Sequence, residues 1–393
     1  MRATPVNAQT LGQSGMDSLL RGDARGARNA FEKILAAGQA DASVCLALAF
    51  ACRSLQDAKA AQDAVDKALA QEPRNLRALV FKADHLDGIG DTKAASSYYL
   101  AAIKFAPQSE VLPPDLRDEI AHAQAMCDRY AQRFDTFLRD QLVERGLVEQ
   151  PSTRRFMQSL DILAGRKATY FQQPRYYFFP ELPQIQFFDR SDFPWLDAIE
   201  AQTVDIRDEL IEVMKEDAAF KPYVEANANR PDNNQNVMLN NPDWSAFYLW
   251  KNGEVVPENA ARCPKTMRAL DNVPVTRVNQ RSPSILFSLL RPGARIPPHN
   301  GFVNTRLICH LPLIVPGGCY FRVGNEVRQW VEGRAWVFDD TMEHEAWNDS
   351  DEVRVILLFE IWRPELTSEE RELVSAMFDA IDDHSGKKPV WEI

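Results

Sequence analysis

The chain has 393 residues, is 45% hydrophobic and 26% charged, and carries a formal net charge of −11. That length exceeds what one core usually serves, so two domains are expected. The acidic balance, with no basic run longer than two residues, excludes a nucleic-acid polyanion as the main partner. No stretch of about 18 apolar residues could span a bilayer, and the opening Met1-Arg2-Ala3-Thr4-Pro5 lacks the apolar core of a secretion signal. A cytoplasmic protein with neither nucleic acid nor membrane as partner is therefore expected.

Taken from its start, the chain repeats itself. Gly22-Asp23, Gln56-Asp57 and Gly90-Asp91 are 34 residues apart, as are Ala27, Ala61 and Ala95. The same step relates Ala30, Ala64 and Tyr98, then Phe31, Val65 and Tyr99, then Leu35, Leu69 and Ile103, and the pair Pro73 and Pro107. That period fits the tetratricopeptide repeat. Small residues let paired helices approach, large apolar residues three or four positions later fill the interface, and each Pro stops the second helix of its unit. About three helical hairpins stacked as a short α-solenoid are predicted for Gly12 to Ala106. The helical stretch from Pro114 to Leu147 would cap them. Such a solenoid offers a concave groove for a peptide or a partner domain.

Composition changes near Gln150-Pro151-Ser152, which sets the expected boundaries: repeats over 10–110, a cap and linker over 111–155, a second domain over 156–393. Aromatics and prolines follow, as in Tyr176-Tyr177-Phe178-Phe179-Pro180, and read as an irregular arm wrapping a β core. A helix is expected from Asp192 to about Glu216, then a polar loop from Ala226 to Asn241.

Short apolar runs come next: Ser284–Arg291, Thr305–Val315, Cys319–Val323, Glu326–Trp330, Ala335–Phe338 and Arg354–Trp362, separated by Gly, Pro and Asp/Asn. Gly324-Asn325 between two alternating runs reads as a two-residue hairpin. The economical fold is a double-stranded β-helix, a jelly roll of the cupin kind, which makes the whole an α+β multidomain chain. Thr367-Ser368-Glu369-Glu370 reads as a capping box opening a last helix to about Asp382. Leu373, Val374, Met377 and Ile381 are expected to face the barrel. Asp339 and Asp340 read as turn closers. The six cysteines, scattered and without metal spacing, read as free thiols.

His299 in Pro297-Pro298-His299-Asn300-Gly301, His344 in Phe338-Asp339-Asp340-Thr341-Met342-Glu343-His344-Glu345, and Arg354 ten residues on put two imidazoles and a guanidinium among these strands. Two neutral imidazoles suit Fe(II). The carboxylate that usually sits two residues after the first His is absent, because Gly301 stands there.

That pattern resembles the aspartyl/asparaginyl β-hydroxylases among the Fe(II)/2-oxoglutarate dioxygenases, in which a His-Thr-Gly motif corresponds to His299-Asn300-Gly301. Arg306-Leu307-Ile308-Cys309-His310-Leu311 corresponds to Arg-Leu-Arg-Met-His-Leu, and Trp347, Arg354 and Trp362-Arg363-Pro364-Glu365-Leu366 follow in register. The resemblance covers roughly Tyr170 to Leu366. It implies that His299 and His344 ligate Fe(II), and that Arg354 with Ser288 holds the distal carboxylate of 2-oxoglutarate. It further implies that His310 lies beside the metal-bound end of that co-substrate and that Arg306 lines the pocket toward an acidic substrate group. O₂ would be the oxidant and water would fill the missing carboxylate's position.

The implied reaction hydroxylates the β-carbon of Asp or Asn in a peptide or protein held partly by the repeats, an arrangement some members of the family share. One departure is plain: the family's second Arg is Ile308, which implies a different substrate choice or co-substrate geometry. The best known vertebrate member acts on disulfide-rich domains in the secretory pathway, so a cytoplasmic relative would need another substrate. Two other readings stand beside this one: a small-molecule or lipid hydroxylase of the same class, and a non-catalytic repeat scaffold carrying a ligand-binding jelly roll.

Overall fold

Each of the first six helices opens on an Asn or Asp cap, and the caps recur at the repeat's own step. In the computed structural model, which describes residues 7–107, 112–225 and 238–385, these are α1 (Ala8–Leu20), α2 (Ala24–Ala36), α3 (Ala42–Ser54), α4 (Ala58–Gln71), α5 (Leu76–Gly88) and α6 (Thr92–Phe105). Asp23, Asp57 and Asp91 accept from the backbone N–H three residues on. So do Asn7, Asp41 and Asn75, a second series at the same interval that the sequence reading passed over. A side-chain oxygen there satisfies one of the open N–H groups of the first turn. Ala27, Ala61 and Ala95 are buried at the helix crossings with Phe31, Val65 and Tyr99 beside them, as the repeat predicts. Pro73 and Pro107 stand just beyond the ends of α4 and α6.

The long helix α7 (Pro114–Glu144) packs on α5 and α6. It is tied to α8 (Arg154–Leu163) by Arg139, whose guanidinium donates to Asp135 at 2.9 Å and to Asp161 at 2.8 Å. Those pairs keep α8 with the helices, and the chain divides after Lys167 into two units, beyond the 155–156 boundary expected from composition.

In the second unit α9 (Leu196–Glu200) and α10 (Thr203–Met214) replace the single helix expected over 192–216. The strands are β1 (Lys221–Pro222), β2 (Trp244–Lys251), β3 (Glu254–Val255), β4 (Ile285–Leu290), β5 (Arg295–His299), β6 (Arg306–Ile314), β7 (Cys319–Val323), β8 (Glu326–Gln329), β9 (Trp336–Phe338), β10 (His344–Asn348) and β11 (Arg354–Trp362), with short helices α11 (Pro257–Ala260) and α12 (Pro264–Ala269) after β3. They pair antiparallel throughout. One sheet has the order β1-β2-β4-β11-β6-β9 with β3 on β2, the other the order β5-β10-β7-β8. Gly324, with φ of +54°, makes the expected hairpin between β7 and β8. The polar loop expected from Ala226 lies outside the described residues as far as 237.

Strand alternation decides which residues do what. On β4, β6 and β11 the odd positions Phe287, Leu289, Leu307, Cys309, Leu311, Leu357 and Phe359 join Leu196, Ile199, Ile206 and Leu210 in one core under α9 and α10. Even positions point to the opposite face of the sheet. There Leu290, Ile308 and Ile356 meet Ile296, Phe321, Val323 and Ala346 of the small sheet. Ser288, Arg306, His310 and Arg354 are even-numbered too, so the pleat turns all four toward the space between the sheets.

The last helix, α13 (Ser368–Ser385), opens on the predicted reciprocal box. The Thr367 N–H donates to Glu370 at 2.8 Å and the Glu370 N–H donates to the Thr367 hydroxyl at 3.2 Å. Val374 and Phe378 are its buried residues, while Leu373 and Ile381 are exposed. The stripe is thus rotated from the one expected, because Phe378 pairs with Val374 at the i, i+4 spacing. All six cysteines are free thiols. Among the described residues, no helix is long and apolar enough to cross a membrane.

Candidate active site

β5 ends on His299 and β10 begins on His344, and the two are Cα partners across that strand pair. Their ring centroids are 4.1 Å apart. Each ring has its Nδ1 against a backbone carbonyl two residues earlier: His299 at 2.8 Å from the Pro297 oxygen, His344 at 3.0 Å from the Met342 oxygen. A carbonyl only accepts, so Nδ1 carries the proton and each Nε2 presents a lone pair. Burial, then the neighbouring His344, lowers the His299 pKa to about 3, and burial lowers that of His344 to about 4. Both rings are neutral at pH 7, the state a metal requires.

No group of three or more His, Cys, Asp or Glu side chains that could hold a metal occurs among the described residues. His299 and His344 could offer a metal two imidazole nitrogens, a pair that would suit Fe(II) far better than Mg(II) or Ca(II). The geometry explains why Gly stands two residues after His299. A Cβ on Gly301 would run into the carboxylate of Asp340, which occupies that space itself. Asp340 is buried, and its Oδ1 has no hydrogen-bond partner.

Across the gap, on the large sheet, Arg354 is 1% exposed. Its guanidinium lies 4.7 Å from the centre of the Trp330 ring, and its Nη1 reaches only the Ser288 carbonyl, at 3.4 Å. Nε has no acceptor, and no carboxylate pairs with the side chain among the described residues. Burial lowers its pKa to about 10, which leaves it charged at pH 7. Ser288 accepts from Trp244 Nε1 at 3.2 Å, so its hydroxyl proton remains to be donated. His310 is buried between Phe338 and Phe321, at 4.7 and 5.1 Å between centroids, with Nδ1 unpartnered. Burial and then the Arg354 charge press its proton affinity well below the usual value.

Arg306, expected to face an acidic substrate group, lies 4% exposed with its guanidinium 3.1 Å from Asp340 and 3.5 Å from Glu360. Two carboxylates already compensate its charge. The structure thus brings His299 and His344 together on one sheet, and Ser288, His310 and Arg354 together on the facing one.

Three features escaped the sequence reading. Asp339 is not merely a turn closer. It accepts the Thr341 N–H at 3.0 Å and also pairs with Arg363 at 2.7 Å, both side chains being fully buried. Gln172 of the aromatic arm donates to the same carboxylate at 2.6 Å, which moors the arm beside the segment that leads into the His344 strand. The arm then crosses the site: the Gln173 N–H donates to the Thr341 oxygen at 2.8 Å, and the Arg175 N–H to the Gly301 oxygen at 3.0 Å.

Residues 200–364 match the family model described as aspartyl/asparaginyl beta-hydroxylase. Over 137 residues the chain is 41% identical to human "Aspartyl/asparaginyl beta-hydroxylase", covering 34% of this chain and 18% of that protein. It is 32% identical over 216 residues to "Aspartate beta-hydroxylase domain-containing protein 2" of Xenopus tropicalis, 53% of this chain and 55% of the relative. It is also 32% identical over 180 residues to "Ornithine lipid ester-linked acyl 2-hydroxylase" of Rhizobium tropici, 45% and 60%. The matches thus span 18% to 60% of these relatives. With the two-histidine pair and its glycine inside the matched residues 200–364, the second unit of this chain is similar to the aspartyl/asparaginyl β-hydroxylase family, and it follows an N-terminal block of tetratricopeptide-like repeats.

Proposed function

We propose that the protein is an Fe(II)- and 2-oxoglutarate-dependent dioxygenase that hydroxylates an unactivated C–H bond, the β-carbon of Asp or Asn in a peptide or protein. The observation that carries this reading is Arg354. A buried guanidinium without a carboxylate is costly, and the cost is recovered when an anionic ligand docks against it. Its planar fork suits a carboxylate, and the Ser288 hydroxyl donates alongside. The two-sheet arrangement supports a double-stranded β-helix as the frame.

His299 and His344 would hold the metal through Nε2, their tautomers fixed by the Pro297 and Met342 carbonyls. When bound, Fe(II) would activate O₂, the oxidant, at the expense of 2-oxoglutarate, so that O₂, the oxo-acid and the substrate C–H bond would give succinate, CO₂ and one C–OH. Arg354 and Ser288 fix the far end of the diacid. His310 meets its nearer part with an unpartnered nitrogen. Phe321, Phe338 and Met342, all buried, keep bulk water from the reacting centre. Asp340, standing where Gly301 leaves room, would orient the water that completes the metal's shell. The repeats would hold the substrate polypeptide in their groove.

A second reading keeps the chemistry and changes the substrate to a lipid or small metabolite. The 32% identity to a protein named for acyl 2-hydroxylation of an ornithine lipid favours keeping it.

The test is anaerobic binding of Fe(II) and 2-oxoglutarate, followed by O₂-dependent succinate release. Wild type should bind both and release succinate, His344→Ala should lose iron, and Arg354→Ala should lose 2-oxoglutarate. A wild-type protein that binds neither would end the oxygenase reading.

A further inference from the structure

The site is surrounded by arginines, and nearly all are spoken for. Arg306 faces Asp340 and Glu360, Arg322 pairs with Glu343 and Glu345, and Arg363 pairs with Asp339. Arg354 lies buried at the end proposed for the co-substrate. Arg175 differs from all of them, for it is exposed and has no ion pair among the described residues.

Its place is fixed by backbone. The Arg175 N–H donates to the Gly301 oxygen at 3.0 Å, the Tyr176 N–H to the Phe302 oxygen at 2.9 Å, and the Gln173 N–H to the Thr341 oxygen at 2.8 Å. Residues 173–176 therefore lie across the two segments that carry His299 and His344, two residues from the first and three from the second. On that stretch the Arg175 side chain is exposed. Next to it Tyr176 is 47% exposed, with its ring 5.6 Å from that of Phe302. An uncommitted cation beside exposed aromatic surface, at the rim of a site whose interior cations are neutralised or reserved, is a receptor for an anion on the incoming substrate.

We propose that Arg175 is the specificity-determining residue of this site, taking a carboxylate of an acidic peptide substrate at the rim while the target C–H bond lies over the His299–His344 pair. This rests on the oxygenase reading. Selection for acid would then come from the arm, not from the strand position held by Ile308.

Two pools of synthetic peptides test it, identical except that one carries Asp and Glu where the other carries Asn and Gln. Succinate release above the peptide-free rate and a mass gain of one oxygen are the readouts. Anaerobic 2-oxoglutarate affinity, carried by Arg354, is the control. Wild type should favour the acidic pool, and Arg175→Gln should lower kcat/KM on it about tenfold, roughly one charge-assisted hydrogen bond. Arg175→Lys should keep most of the preference and Arg175→Glu should reverse it. No stimulation by the acidic pool, or an acidic preference untouched in Arg175→Gln, overturns the assignment. Absence of 2-oxoglutarate binding in wild type would instead bring down the oxygenase reading beneath it.

Discussion

Arg354 rests its guanidinium 4.7 Å over Trp330 and meets no carboxylate among the described residues, so the apo protein holds a buried, uncompensated charge. Replacing it by an apolar side chain of similar length should separate function from stability. Arg354→Met should weaken 2-oxoglutarate binding at least about 30-fold, the low end of what truncating a buried charged contact costs. The same substitution should stabilise the ligand-free second unit by about 1 kcal/mol or more and so raise its unfolding midpoint, because it removes the charge without leaving a partner stranded. All eight tryptophans lie beyond residue 194, so tryptophan fluorescence during a thermal ramp reads that unit alone. A lower midpoint would mean that Arg354 is structural.

Gly301 and Asp340 occupy complementary space, and the relation should appear as non-additivity. Gly301→Ala drives a methyl group into the Asp340 carboxylate and should cost about 1–3 kcal/mol, as overpacking a filled site does. In an Asp340→Ala background the same methyl has room. The coupling between the two substitutions should exceed about 0.5 kcal/mol, measured by denaturant titration followed through tryptophan. Strict additivity would show that the two positions do not touch.

Acid should act on the helical unit through the cluster joining α7 to α8. Burial opposes ionisation of Asp135 and Asp161, but hydrogen bonds from Arg166 and the charges around them prevail and hold both below the usual carboxylate range. A depressed folded value means that the stabilisation is fully present above the unfolded carboxylate pKa and is lost as pH falls through the folded one. Helical ellipticity against temperature should thus give a midpoint that falls below about pH 4. Asp135→Asn should be less stable near pH 7 and show a shallower acid limb. An unchanged limb would move the acid sensitivity elsewhere.

Much of this was legible in the sequence, for reasons that also mark where reading stopped. The repeats were plain because a 34-residue step leaves the same cap and the same small residue in each unit, and the same Pro in two of the three. The second cap series escaped because Asn7, Asp41 and Asn75 alternate in residue type. β4, β6 and β11 could be read because both their faces are buried and apolar residues dominate the runs, with only Ser288, Arg306, His310, Arg354 and Glu360 as their polar positions. β2 carries the same signal, in Trp244 to Trp250, and was passed over. The two strands that hold the histidines were missed for a physical reason. β5 contains Pro297 and Pro298 and lies at a sheet edge, where the ladder asks less of its N–H groups. β10 reads His-Glu-Ala-Trp-Asn, whose burial alternates while only Ala346 and Trp347 are apolar, so no apolar pattern marks it. Motif spacing found His299 and His344 without their strands. Only coordinates could relate Gly301 to Asp340, or Arg175 to a glycine more than a hundred residues along the chain.

The alternation along β6 has a practical use. Leu307, Cys309, Leu311 and Leu313 belong to the helix-side core, while Arg306, Ile308 and His310 face the cleft, so a single strand carries two independent vocabularies. Substitutions confined to position 308 would alter the cleft side of the strand while Leu307, Cys309 and Leu311 of the helix-side core and the Arg306 ion pairs with Asp340 and Glu360 stayed fixed. That makes β6 a strand whose two faces can be probed separately, one answering to the helices and the other to the cleft.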